Sequence, residues 1–423
     1  MRVLVVGGGG REHALAWALA RDPAVDEVLA APGNAGIEDV ARCVPVEADD
    51  IDGIVALAEA ESIDLTVVGP EAPLVAGLVD ALHARGRLAF GPTAAGARIE
   101  GSKAWAKELL LRHEIPTGRA EITDDVTRAV MLLDAFEPPW VIKCDGLAAG
   151  KGVVVTAHRQ EAVAAIESML VDRIFGSAGD RILIEEHLEG REVSVLALTD
   201  GEAVVPLEPA RDYKRALDGD RGPNTGGMGA HSPVAEVDDD LAKRIAVEIL
   251  EATMAALAAD GVPYRGVLYA GLMLTAEGPK ILEFNARFGD PEAQAVLPRL
   301  ASGPAEALLA CAQGRLDRGT VTWLPEACVT VVLASGGYPG EYRTGLPIQG
   351  LDAAGKTDRV AVFHAGTAGG DGRVVTAGGR VLAVSALGTD LADARARAYG
   401  AASLISFEGL HRREDIALEA AGG

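Results

Sequence analysis

Long apolar runs, paired cysteines and a basic charge excess are all missing from this 423-residue chain. No stretch of eighteen uncharged apolar residues occurs, so no membrane span is expected. Met1 leads straight into "RVLVVGGGG" rather than into a basic segment, an apolar core and a cleavage site, and a cytoplasmic protein is expected. The four cysteines, Cys43, Cys144, Cys311 and Cys328, are scattered without any C-x-x-C pair, which argues against a zinc or dithiol motif and leaves buried free thiols. Lys and Arg number 39 against 62 Asp and Glu, a net charge of -23, which argues against a protein whose main business is gripping nucleic acid. Local lysines and backbone amides can still hold one phosphate group in such a protein. No solenoid repeat is visible, and the length allows two to four domains.

Two familiar nucleotide signatures are also absent. The opening "RVLVVGGGGREHALAWALAR" reads as strand, glycine turn and helix, and a strand feeding a helix N-terminus makes an anion site. Yet G-x-G-x-x-G fails, because Glu12 or His13 stands at the third glycine position. In "VIKCDGLAAGKGVVV" the P-loop pattern fails too: Gly152 stands where a hydroxyl residue should be, and a strand follows instead of a helix.

Alternating strands and helices at "EVLAA", "DLTVVGPE" and "LAFGPT" predict an open parallel-sheet α/β domain over 1–102, with "PGN" and "GPEAP" at strand ends where such sheets place ligands. From residue 103 the texture becomes α+β, with antiparallel-looking strands over 103–327, a flap subdomain at about 121–193 and an Asp200-Gly201 hairpin signal. A helix is expected over about 240–259, the acidic run "EVDDD" serving its N-terminus rather than a metal. Residues 328–423 read as a small β-rich domain ending in a helix.

The chemistry-bearing residues cluster in four stretches. Lys151 stands in a glycine loop between strands, with Lys143 upstream; two lysines and open amides suit a polyphosphate, although such loops are usually only turns. In "KILEFNARFGDPE" the two-residue period puts Ile281, Glu283 and Asn285 on one face, so that Glu283 and Asn285 can reach one hard cation together with nucleotide phosphates. Arg287, Asp290 and Glu292 crowd the strand exit. Glu185, Glu186 and Glu192 flank the turn "EEHLEGREV", where a carboxylate can accept from ribose hydroxyls or simply face solvent. "GPNTGGMGA" suits a mobile loop closing over a reacting centre.

Taken in order, "VVGGGGREHALAWAL", "APGNAG", "EGSKAWAKELL", "VIKCDGLAAGKGV", "GPNTGGMGA", "EFNARFGDPEAQ" and "VTVVLASGGYPG" cover nearly the whole chain, and it resembles the phosphoribosylamine-glycine ligases, also called glycinamide ribonucleotide synthetases, of the ATP-grasp superfamily. The resemblance implies a central ATP-grasp fold, ATP with Mg²⁺ or Mn²⁺, and the small-molecule substrates glycine and 5-phosphoribosylamine, a monomer being allowed. It implies that Lys103, Lys143 and Lys151 approach the phosphates under a flap that includes Gly150 and Gly152, that Glu186 to Leu188 form the adenine hinge and Glu192 meets the ribose, and that Glu185 belongs to the same nucleotide-binding set. Glu283 and Asn285 would hold the metal. Lys151, Arg287 and Asp212 are the implied catalytic set, with Arg287 and Asp290 on the amino-acid side. Asn224, Thr225, Gly226 and Gly227 would lie beside the reacting acyl group, and Gly9, Gly10, Arg11, Glu12, Asn34 and Glu71 toward the ribose phosphate. Two positions depart from the family wording: Arg211 where glutamine is usual and His231 where tyrosine is common. Another ATP-grasp ligase, or a carboxylase of the biotin carboxylase kind, would share the nucleotide residues.

Overall fold

The structure is a computed structural model that describes residues 1–148, 152–370 and 372–422. Gly150 and Lys151, both expected at the nucleotide phosphates, lie outside the described residues.

The N-terminal sheet is parallel, with spatial order Arg42–Cys43, Glu27–Pro32, Arg2–Gly7, Leu65–Val68, Ala89–Phe90. Its strands carry unbroken apolar runs because both faces are covered. Leu4, Val6, Leu29 and Ala31 point to a core shared with helices Ile51–Ala60 and Leu78–Ala84, while Val3, Val5, Val28 and Ala30 point to one shared with helix Gly10–Ala20. The strand order reverses between Arg2–Gly7 and Leu65–Val68, and "GGGGREH" and "GPE" lie at those strand ends, the crevice where such sheets bind ligands.

Two antiparallel sheets follow. Ala120–Thr123, Ile182–Glu185, Trp140–Cys144 and Val153–Thr156 form a four-stranded lobe with its own core of Phe136, Trp140, Ile142, Ile166 and Ile184. Val204–Pro206, Arg191–Thr199, Gly266–Thr275 and Gly278–Asn285 form the second sheet, and the Asp200-Gly201 hairpin is found as expected, with Gly201 at φ +101°. The acidic run caps its helix: the Asp238 side chain accepts from the Leu241 amide.

The third sheet is discontinuous in sequence. It runs Arg211–Asp212, Gly229–Ser232, Ala327–Ala334, Arg380–Gly388, Val360–His364, so two of its strands come from the stretch before residue 327. This corrects the expectation of a free loop at "GPNTGGMGA". Gly229–Ser232 is an interior strand with all four residues buried, and Met228 is wholly buried beside it, so only the turn at 225–228 stands clear of a ladder.

Candidate active site

Strand Gly278–Asn285 and its exit through Glu292 form the axis on which the three parts of the chain meet. The strand carries one extra residue against its neighbour, Gly271 facing Glu283 and Leu272 facing Ile281. The bulge at Leu282 corrects the simple alternation: Ile281 turns into the core with Phe284 and Ala286, while Glu283, Asn285 and Arg287 remain half-buried on the other side.

The bulged Leu282 carbonyl accepts from Lys143 Nζ at 3.0 Å. Lys143 also pairs with Glu185 at 2.9 Å, and Lys107 approaches the other Glu185 oxygen at 3.3 Å while donating to Thr117 Oγ1 and the Gly118 carbonyl. Glu185 is thus buried between two lysines as the counter-ion of Lys143. Burial opposes its ionisation, but Lys143 and Lys107 outweigh burial and hold it below the usual carboxylate range. Lys107 escaped the sequence reading, although its position four residues after Lys103 on one helix face was a signal.

Lys103 Nζ donates to the Gly146 carbonyl at 3.0 Å, at the entrance of the glycine loop. Gly152 is buried and closes that loop, its carbonyl accepting from Cys144 N at 2.9 Å. Glu186 accepts from Arg119 N at 2.9 Å, and the Leu188 side chain lies against the neighbouring Gly118.

Lys214 joins the two ends of the site, pairing with Glu192 at 2.7 Å and approaching Glu283 at 3.6 Å. Burial works against Glu283, yet Lys214, Lys143, Lys103 and Arg287 together hold it below its ordinary pKa. Asp212, two residues before Lys214, goes the other way: burial first, then the carboxylates Glu292, Glu192 and Glu283, push it up to about 7 against the pull of Lys214. Beside them Glu292 accepts from Tyr269 Oη at 2.7 Å and Ser194 Oγ at 3.2 Å, a buried network that sequence reading did not find.

Arg287 donates to Asn285 Oδ1 at 3.1 Å and pairs with Glu100 at 2.9 Å and Glu71 at 3.2 Å, which ties the strand exit to the N-terminal domain. Arg11 donates to the Phe288 carbonyl at 3.2 Å and stands 4.0 Å from Glu71. Glu12 folds back on its own helix N-terminus, accepting from Gly9 N at 2.7 Å and from Arg11, and so satisfies one of the free amides expected there. Gly10 packs against the Gln294 amide. Asn34 spends its side chain on backbone: it donates to the carbonyls of Gly8 and His364 and accepts from Gly36 N and Ile37 N, so it ties two domains together.

From the C-terminal part, Arg380 pairs with Asp290 at 3.2 Å and donates to the carbonyls of Asp290 and Gly226. The glycine turn is seated beside it. Asn224 faces Arg215 across a small hairpin, Thr225 donates to the Lys214 carbonyl at 2.9 Å, and Gly227, at φ +109°, lies so close to Pro291 that a Cβ would overlap it.

Comparison with known proteins gives the family. The chain matches Phosphoribosylglycinamide synthetase, N domain, over 1–100, its ATP-grasp (A) domain over 101–293 and its C domain over 328–419. The chain belongs to the phosphoribosylglycinamide synthetase family. Within that family it is 49% identical over 420 residues to phosphoribosylamine--glycine ligase of Xylella fastidiosa, covering 98% of this chain and 97% of that one. The corresponding protein of Yersinia pestis is 48% identical over 424 residues, covering 99% of both. Among solved structures, phosphoribosylamine--glycine ligase from Thermotoga maritima superposes with a TM-score of 0.87 at 36% identity, covering 99% of this chain and 100% of that one. Biotin carboxylase from Campylobacter jejuni shares the fold alone, with a TM-score of 0.75 at 14% identity over 100% of this chain and 95% of that one.

Proposed function

We propose that this chain joins glycine to 5-phosphoribosylamine at the expense of ATP, giving glycinamide ribonucleotide, ADP and phosphate through a glycyl phosphate, a step of purine synthesis. The observation that carries this reading is the family match along all three parts of the chain, with relatives bearing that activity in their names aligned over 98–99% of it. The three parts would run over 1–102, 103–327 and 328–423.

A carboxylate is a poor electrophile, and phosphorylation gives it a good leaving group. Lys103 and Lys143, with Lys151, would neutralise the phosphates; Glu186 and Leu188 would line the adenine hinge, and Glu192 would accept from the ribose. The donor set suits a hard divalent cation, Mg²⁺ or Mn²⁺. Among the described residues no group of three or more His, Cys, Asp or Glu stands ready to hold a metal, whereas Glu283 and Asn285 would supply two oxygens for an ion shared with nucleotide phosphates. Such an ion would neutralise charge on the transferring phosphoryl group. Arg287, an obligate cation held between Glu71 and Glu100, would orient the glycine carboxylate, and Asp290 and the turn at Asn224–Gly227 would complete the acyl side. Asp212, with its pKa near 7, is suited to take the proton that the attacking amine must lose. Arg11 and Glu71, at the parallel-sheet crevice, would face the ribosylamine.

Phosphate release from ATP should require glycine and freshly generated phosphoribosylamine together. Release driven by bicarbonate instead, or indifferent to glycine, would overturn the substrate assignment.

A further inference from the structure

The C-terminal part of the chain grips the glycine turn at a single residue. Gly226 N donates to Tyr338 Oη at 3.0 Å, and the Gly226 carbonyl accepts from Arg380 Nη1. Both polar groups of one residue are therefore held by side chains more than 110 positions away in sequence. The same Arg380 guanidinium donates to the Asp290 carbonyl at 2.9 Å and pairs with the Asp290 carboxylate at 3.2 Å. Tyr338 is itself steadied, its ring meeting that of Tyr342 with centroids 6.3 Å apart. A planar guanidinium with several fixed donors can set the distance between a turn and a strand exit in a way that a flexible ammonium cannot.

We propose that Arg380 and Tyr338 are positioning residues for the glycine half of the reaction, acting through Gly226 and Asp290 to hold the turn against the strand exit where the acyl group reacts. The inference rests on the ligase reading above. The nucleotide side is held by other groups: Lys143 by Glu185 and Leu282, Glu192 by Lys214. Loss of the clamp should therefore touch glycine use and leave ATP use alone.

The test measures KM for glycine and for ATP, kcat, and phosphate released per ribonucleotide formed, in wild type, Arg380→Met, Arg380→Lys and Tyr338→Phe. Arg380→Met should raise the KM for glycine about tenfold or more, with the KM for ATP within about twofold, as expected when one substrate's binding geometry is loosened. Phosphate per product should exceed one, because a loosened turn admits water to the acyl phosphate. Arg380→Lys should recover part of the loss, and Tyr338→Phe, which removes only an oxygen, should raise the KM for glycine by a smaller factor. Should Arg380→Met lose the fold, Tyr338→Phe carries the test alone. Unchanged glycine KM and unit stoichiometry in the folded variants would overturn the inference, as would a fall in kcat and melting temperature with both KM values unchanged. A wild-type protein that ligates no glycine would instead overturn the ligase reading.

Discussion

Lys214 links the carboxylate proposed for the ribose to the one proposed for the metal. It pairs with Glu192 at 2.7 Å, approaches Glu283 at 3.6 Å, and its charge opposes the upward push on Asp212. Burial and the neighbouring carboxylates Glu292, Glu192 and Glu283 outweigh Lys214, so that Asp212 is raised to about 7. An unfolded aspartate titrates near about 3.9. Between those values the folded chain holds a proton that the unfolded chain has released, so this group's contribution to stability is present at low pH and is lost as pH rises through about 7. Asp212→Asn removes that loss. The variant's melting temperature relative to wild type should therefore move in its favour between about pH 5 and pH 8, while its ligation rate falls. A relative melting temperature independent of pH across that range would contradict the raised Asp212.

At the scale of elements, local signals were legible and long-range ones were not. Asp200-Gly201 turns a hairpin because glycine reaches positive φ freely, and "EVDDD" caps its helix because carboxylates satisfy amide donors at an N-terminus. The period of two put Glu283 and Asn285 on one face but misplaced Ile281, since a bulge is set by the partner strand and leaves no mark in the sequence. The "GPNTGGMGA" segment looked mobile by its glycines, yet those glycines permit close packing: Gly229–Ser232 is an interior strand and Gly227 abuts Pro291. Gly227→Ala tests this against Gly86→Ala, which also sits at positive φ but with open space around its Cβ position. Gly86→Ala should cost about 1–2 kcal/mol, the ordinary penalty for a left-handed residue. Gly227→Ala should cost more by urea unfolding, because Pro291 must also move, and it should slow ligation. Equal costs would contradict the close approach.

The molecule as a whole brings three parts of the chain to one strand exit. Arg287 reaches Glu71 and Glu100 from the N-terminal side, Lys143 meets Leu282 from the four-stranded lobe, and Arg380 meets Asp290 from the C-terminal side. Motif reading singled out Lys143 beside its glycine loop and Arg287 at the strand exit, but not their partners Leu282 and Glu100. It missed Arg380, Tyr338 and Lys107 because their roles come from partners brought close only by folding; Arg380 and Asp290 are 90 positions apart. This convergence would serve activation of glycine as an acyl phosphate. The bridging oxygen then starts on the glycine carboxylate and must leave with inorganic phosphate when the amine attacks. Protein, ATP, Mg²⁺, freshly generated phosphoribosylamine and oxygen-18 glycine are mixed, and the phosphate is weighed by mass spectrometry. One labelled oxygen in phosphate is expected for each ribonucleotide formed; ribonucleotide formed with unlabelled phosphate would contradict activation as an acyl phosphate.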